Sequence, residues 1–392
     1  MKTLYINGKF SAQSITGVQR AARELVQALD RLFLSDDGAA DIQCVLLVPP
    51  GGSPPPLDHI EVRTVGRSVT SLQWWEQVRL PWAARDGILL NLSGSAPWLA
   101  ASKSVCLLHD AAVFDHPTAY TTMFRLWYRM LFRHLGAKAL ALLTISTFSR
   151  QRLCNALGVP LERFSVVQHG ADHFHEVLAD DSVLSAYGLT RDRFVLVVGT
   201  AKSTKNVAAV LAAWRALKPE SGCILVWVGG ANHMVFSESQ SSPLEIADDE
   251  ARGIFRVGFV SDNRLKSLYE NAAALMLPSI YEGFGLPAVE AMACGCPVAA
   301  ASIASLPEVC ANAAYFFDPT KPEEMGKVMD SLLNDPSLRT RLRSRGFERA
   351  ADFTWDKAAS GLTAQLRDSG LHQRLRVTTT DLLQVPYSAG DS

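Results

Sequence analysis

Residues 278–297 read PSIYEGFGLPAVEAMACGCP, and this stretch decides how the rest of the chain is read. The apolar run before it, Ala273 to Leu277, reads as a buried strand. Gly283 and Gly285 free the backbone for a turn, and Pro287 suits the first position of a helix. That helix covers Ala288 to Ala293 and stops near Gly295, with Pro297 beyond it. Strand, glycine turn and short helix gather the amides of Phe284, Gly285 and Leu286 at the positive end of a helix dipole, where phosphate binds well. Glu282 lies in the turn and Glu290 inside the helix. Two carboxylates around such an end suit a ligand carrying both an anion and hydroxyls, as a nucleotide-sugar does. A capped loop with two surface acids is the plainer alternative.

Working outward, the same alternation continues on both sides. Upstream lie a strand at Phe194 to Val198, a helix at Asn206 to Leu217 and a strand at Ile224 to Val228. A longer excursion from Gly230 to Glu250 follows, then a strand at Ile254 to Val257 and a helix at Asp262 to Asn271. Downstream come a last strand, Ala313 to Phe317, and helices at Pro322 to Leu333, Leu338 to Ala350 and Thr354 to Leu366. Residues 371–392 have weak periodicity and read as a poorly ordered tail. The turn after the first of these strands runs Gly199 to Asn206 and contains Thr200, Lys202 and Lys205 ahead of a helix, which makes a second phosphate cradle. It lacks the GxxxxGK[ST] order of a P-loop. No GxGxxG follows the first strand of either half, which sets a dinucleotide oxidoreductase aside.

The first half repeats the theme. Thr3 to Ile6 is a strand, Asn7 to Thr16 a polar loop, and a helix follows with Thr16 as its N-cap and Val18, Ala22, Leu25, Leu29 and Leu32 on one face. Gly17 either lets a ligand approach the backbone or lets helix and strand pack closely. Gln43 to Val48, Ile60 to Val65, Ile88 to Leu92 and Val105 to Leu108 read as buried strands, with a helix from Ser71 to Trp82. His109-Asp110 directly follows one of them. In a parallel sheet that is where ligands sit, although a histidine there also serves as a hydrogen-bonded structural residue. From Thr121 to Leu135, Arg125, Arg129 and Arg133 recur every fourth residue among apolar side chains. They form either a face toward an anionic membrane or a solvated stripe on a packed helix. Ala141 to Ile145, Phe148 to Leu157 and Phe164 to Gln168 complete this half as strand, helix and strand. The segment His169 to Tyr187 connects two domains. Its three histidines, His169, His173 and His175, match no common zinc spacing and are read as loop residues.

The 392 residues suit roughly two or three domains by length. The net charge of −1, with 20% charged residues, gives no global basic field for nucleic acid or a membrane. Seven scattered cysteines read as reduced core thiols in a cytosolic protein. The first ten residues lack the pattern of a signal peptide, and no apolar run reaches about 18 residues, so no span is expected. Alternating βα units in two blocks indicate an α/β protein with two doubly wound sheets facing a cleft.

Together these residues resemble the family 4 retaining glycosyltransferases of the GT-B fold, from Leu4 to about Leu366. The most specific match runs from Gly258 to Val298 and on to Ser305-Leu306-Pro307-Glu308-Val309, with Glu282 and Glu290 separated by seven residues. TGVQRAARELVQAL and Leu108-His109-Asp110 fit the subgroup that makes bacterial surface polysaccharides. The resemblance implies two Rossmann-like domains, at 1–170 (acceptor) and 171–355 (donor), a helix at 356–370 returning to the first, and the tail. It implies that Glu282 and the amides of Phe284, Gly285 and Leu286 hold donor hydroxyls and phosphate, while Glu290 takes the ribose. By the same resemblance, Lys205 neutralises the leaving pyrophosphate, His109 contacts the sugar near its reacting carbon, and Gly17 packs its loop against the diphosphate. The stretch Val257 to Val260 offers backbone bonds to the base. Transfer to an acceptor hydroxyl would proceed with retention and without a metal ion. Relatives carry an arginine where this chain has Thr204, and Lys202 is the candidate to replace it.

The expectation is therefore a cytosolic transferase, peripheral on the inner membrane face. It would move a hexose from GDP-mannose, or from a dTDP- or UDP-sugar, to a lipid-linked or oligosaccharide acceptor. A non-catalytic sugar- or nucleotide-binding subunit of the same fold is the alternative, and Thr204 is the feature that favours it.

Overall fold

The structure is a computed structural model that describes residues 3–35, 43–68, 71–217, 222–229 and 249–368. Most of the excursion expected at 230–250, and the tail at 371–392, lie outside the described residues. Among the described residues, thirteen strands form two parallel sheets. The seven-stranded sheet contains β1 (Leu4–Asn7), β2 (Cys44–Val48), β3 (Glu61–Thr64), β4 (Ile88–Asn91), β5 (Ser104–Leu107), β6 (Ala141–Thr144) and β7 (Phe164–Val166), in the order β3-β2-β1-β4-β5-β6-β7. The six-stranded sheet contains β8 (Phe194–Val198), β9 (Ile224–Val228), β10 (Ile254–Gly258), β11 (Ala274–Leu277), β12 (Val298–Ala301) and β13 (Ala314–Phe317), in the order β10-β9-β8-β11-β12-β13. Register is direct, as in Leu275 opposite Val298 and Leu196.

The inner strands are apolar almost throughout, as parallel strands covered on both faces must be. CVLLV of β2 and ALML of β11 are buried at every position. By contacts the chain divides into two compact units. The first holds the chain up to Leu108, His134–Leu143 and the chain from Ala359, and the second holds His109–Arg133 and Thr144–Ala358. In the first unit, Tyr5, Val45, Leu47, Trp75, Leu80 and Leu89 form a core cluster between sheet and helix. In the second, β8, β9 and β11 pack against Val210, Trp214, Met329 and Leu332 of flanking helices.

A buried polar network fixes how residues 72–83 lie on the first unit. Glu76 is fully buried and receives Lys9 Nζ at 2.7 Å, Ser95 Oγ at 2.6 Å and Asn7 Nδ2 at 3.0 Å. Removing one partner would leave an uncompensated buried charge, so the network holds this face inward. The expected helix from Ser71 is confirmed, but its middle is wound as a π-helix: Leu72–Trp74 is α, Trp75–Arg79 is π and Leu80–Ala83 is α again.

Several expectations need correction. The strand read as buried at residues 60–65 is β3, at the sheet edge, with all four residues exposed. Glu61 and Arg63 pair with each other there, at 2.9 Å, and Val62 lies between them in the open. The polar loop after β1 is a 3-10 turn, Gly8–Ala12, with Lys9 buried in the network above. Gly17 is not a packing glycine, because a Cβ placed on it would meet nothing within 4 Å. The arginines of helix Thr122–Lys138 form the solvated stripe only in part, since Arg133 is exposed while Arg125 and Arg129 are half-buried. Arg129 donates to the carbonyls of Val113 (2.9 Å) and Phe114 (3.2 Å), and Arg129 and Arg133 both stand over the Phe114 ring. The exposed large hydrophobic residues of that helix are Met123, Leu126 and Met130. All seven cysteines are free, six of them buried and Cys294 half-buried. Burial pushes the thiols of Cys296 and Cys310 up to about 12 and raises those of Cys44, Cys154 and Cys294 as well.

Candidate functional site

In the second sheet β8 lies between β9 and β11, so the chain leaves β8 and β11 on opposite sides. The crevice at the carboxyl ends of two such strands is the usual ligand position in a doubly wound sheet. Both loops singled out in the sequence start there, Gly199–Asn206 after β8 and Pro278–Leu286 after β11. Ile280 N donates to Thr204 O at 2.9 Å, and Asn206 Nδ2 reaches the carbonyls of Pro278 (3.3 Å) and Pro319 (2.9 Å). Asn206 holds φ at +53°, a conformation asparagine tolerates better than most residues. These bonds close the two loops into one surface.

On that surface Lys205 Nζ lies 2.5 Å from Glu282 Oε1, which also accepts from Ser279 Oγ at 2.8 Å. Ser305 Oγ holds the Glu282 carbonyl at 2.9 Å. Gly285 caps helix Leu286–Ala293 with φ at +95°, a conformation that strains any residue with a side chain, and a Cβ there would also push on Leu306 Cδ2 at 2.6 Å. The helix begins one turn-position earlier than expected, and Phe284, Gly285 and Leu286 form its amino end. The Phe284 side chain is buried.

His109 belongs to the same unit and adjoins this turn. A Cβ on Gly283 would come within 2.9 Å of His109 O, and Tyr281 Oη accepts from Ala111 N at 3.2 Å. Gly283 O in turn accepts from Ser146 Oγ (2.6 Å) and Ser149 Oγ (3.0 Å). The His109 ring lies 5.5 Å from His169, whose ring lies 5.4 Å from Phe284. Burial, and secondarily His109, hold His169 well below the ordinary histidine range, so its imidazole is neutral at pH 7. An open groove of about 340 Å³ beside the turn is lined by Asp115, His116, Arg152, Tyr281 and Ala304 among others. Arg152 Nε binds Asp115 Oδ2 there at 2.9 Å.

The remaining residues divide. Lys202 Nζ donates to Tyr120 Oη at 2.6 Å and stands 4.2 Å from the ring centre. Burial lowers it to about 8, while Asp110 and Glu282 pull it back up and Lys205 adds to the lowering. Thr204, where the resemblance implies an arginine, is buried. Glu290 is buried within helix Leu286–Ala293. Thr200 is half-buried at the end of β8, and Val260 is half-buried beyond β10. Gly17 lies in the first unit, exposed at the start of helix Gly17–Ser35.

One residue was missed by sequence reasoning. His173, read as a loop histidine, is buried with its Nε2 3.5 Å from Glu290 Oε1. The Trp355 indole N–H donates to His173 Nδ1 at 3.1 Å, which leaves the histidine proton on Nε2, facing the carboxylate. Tyr269 Oη holds the other Glu290 oxygen at 3.3 Å. Phe259, within the stretch expected to meet a base, is 71% exposed.

Comparison with known proteins gives a consistent result. Residues 186–349 match the family model described as glycosyl transferases group 1. The chain is 29% identical over 289 residues to O-antigen chain mannosyltransferase B of Escherichia coli, covering 72% of this chain and 75% of that protein. It is 25% identical over 412 residues to the serotype-specific mannosyltransferase WbdA of Escherichia coli, covering 94% of this chain but only 45% of that protein. Among solved structures, sucrose-phosphate synthase from Thermosynechococcus elongatus superposes with a TM-score of 0.73 at 18% identity, covering 95% of this chain and all of that one.

Proposed function

We propose that this chain, a glycosyltransferase of the GT-B, family 4-like class, moves a hexose from a nucleotide-sugar to an acceptor hydroxyl with retention of configuration. Mannose from GDP-mannose is the donor proposed, on the likeness to two mannosyltransferases. A growing polysaccharide or lipid-linked oligosaccharide is the acceptor proposed. One observation carries the reading: Lys205 and Glu282 pair at 2.5 Å beside the amino end of helix Leu286–Ala293, at the crevice of the second sheet.

As a glycosidic bond to a diphosphate breaks, negative charge grows on the leaving oxygens. Fixed positive charge and aimed amides lower the barrier, because they need no reorganisation at that moment. Lys205 and the amides of Phe284 to Leu286 supply both. A diphosphate would compete with Glu282 for Lys205 and free the carboxylate to accept sugar hydroxyls. Glu290, held by Tyr269 and His173, would receive the ribose, and Phe259 offers a face on which a base can stack. His109 lies against the turn that would carry the sugar, and the groove bordered by Tyr281 and Arg152 gives the acceptor a route to it. The proposal assigns the leaving charge to protein groups rather than to a metal ion, so EDTA should leave turnover unchanged. The seven free thiols suit a reducing, cytosolic setting.

The test is nucleotide diphosphate release from GDP-mannose, UDP- and dTDP-sugars by the purified protein, with and without acceptor. Release is expected from GDP-mannose, and Lys205→Ala should lower it roughly a hundredfold or more. Donor binding without release from any of the three would favour the non-catalytic subunit, for which the buried Thr204 is the supporting feature.

A further inference from the structure

We propose that the outer face of residues 72–83 is a docking surface for an anionic lipid bilayer. Helices at a protein surface normally bury their apolar residues and expose their charges. This one buries Trp75 and Leu80 in that way, yet its outer face is apolar as well. Its inward side carries Glu76, fully buried in the Lys9 network, whereas Trp74, Val78 and Trp82 point outward with 44%, 49% and 69% exposure. These three recur every fourth residue. In an α-helix that step drifts about 40° around the axis. The π turn at Trp75–Arg79 holds more residues per turn and cancels part of the drift, keeping the three in line.

The surroundings are cationic. The Arg79 guanidinium stands 5.1 Å from the Trp74 ring centre, and that of Arg85 stands 4.7 Å from Trp82. The neighbouring 3-10 helix Trp98–Lys103 adjoins the same face. Gln77 Oε1 accepts from Trp98 N at 2.8 Å, and Lys103 Nζ donates to Arg85 O at 2.6 Å. That helix adds Leu99, 85% exposed. Within 71–86 and 98–103 the acids are Glu76, buried and paired, and Asp86, which accepts from Tyr5 Oη at 2.9 Å. The face therefore shows two indoles, two aliphatic side chains and three cations against one acid.

Indole rings settle at the headgroup level of a bilayer, where one side is apolar and the other wet. Arginines beside them pair with anionic headgroups while their stems lie along the apolar surface. An isolated basic stripe would give charge without insertion, and a bare apolar patch would bind neutral and anionic lipid alike. Here both are joined on one rigid element, and the charge selects acidic lipid. No helix of the described residues is long and apolar enough to cross a membrane, so the contact is at the surface. This docking does not depend on which sugar is moved.

The experiment is co-sedimentation of the full chain with vesicles of phosphatidylcholine alone or with phosphatidylglycerol at seven to three. Binding is expected to the mixed vesicles and to weaken in high salt. Trp74→Ser with Trp82→Ser should reduce the partition constant at least tenfold. Arg79→Glu with Arg85→Glu should reduce it by about 30-fold or more, since each cation near such a surface is worth about a factor of five. All four positions are exposed, and circular dichroism melts matching wild type would show the variants folded. Equal pelleting of wild type and both variants overturns the proposal. So does loss of binding in Met123→Ser/Leu126→Ser/Met130→Ser but not in the tryptophan pair, or a self-association that the same tryptophan changes abolish.

Discussion

Lys202 is the residue whose charge state is most open to test. Burial against Tyr120 lowers its ammonium to about 8, so it is charged below that pH and neutral above it. If it substitutes for the arginine absent at Thr204, donor binding should weaken as pH rises from 7 to 9, and Lys202→Met should bind more weakly with a flat profile. A wild-type donor KM that stays constant over this range would remove Lys202 from the site. His173 is expected to act as a positioning residue for Glu290. His173→Ala should raise donor KM several-fold with little change in kcat, and Trp355→Phe should do the same more weakly, since it only frees the histidine tautomer. Lys205 and Glu282 were legible because each lies in a short local pattern of strand, small residues and helix. His173 was not, because its partners stand at residues 290 and 355 and no spacing within its own segment refers to them.

At the scale of elements, the loop after β12 carries strain that can be measured. Ala304 sits at φ +57° on the edge of the groove, a left-handed conformation that costs a non-glycine residue about 1–2 kcal/mol. Glycine gives back part of this through its greater freedom in the unfolded chain. Ala304→Gly should therefore raise stability by about 0.5–1 kcal/mol in denaturant titration. The inner strands were readable as apolar runs, since a parallel strand covered on both faces leaves that signature. The edge strand β3 was misread because Val62 and nearby Ile60 carry the same propensity as inner residues, and only the sheet order shows that β3 lies at the edge, where Val62 is exposed. The arginine stripe of Thr122–Lys138 held only in part, for a related reason. Spacing places Arg129 and Arg133 on one face but does not reveal that Phe114 and two carbonyls wait there.

For the whole molecule, two blocks of βα units could be counted from the sequence, and two parallel sheets with separate cores are found. Which segments join which unit was less accessible. Residues 109–133 and 144–170 cluster with the second sheet's unit, through contacts such as Ser146 and Ser149 with Gly283 O. Such bonds span more than a hundred residues and leave no local trace. A ligand that binds only the folded second unit stabilises it by about 2.7 kcal/mol at a hundredfold excess over Kd. Saturating GDP is expected to slow hydrogen exchange in 199–206 and 278–286, leaving β1, β2 and β4 unchanged. Uniform slowing, or slowing confined to the first unit, would move the nucleotide elsewhere.

The thiols have a bearing on the bench life of the protein. Oxidation and crosslinking proceed through the thiolate, and six cysteines are enclosed while the seventh, Cys294, is held protonated by its surroundings. Preparations kept in air without reductant should therefore stay free of covalent dimers on non-reducing gels.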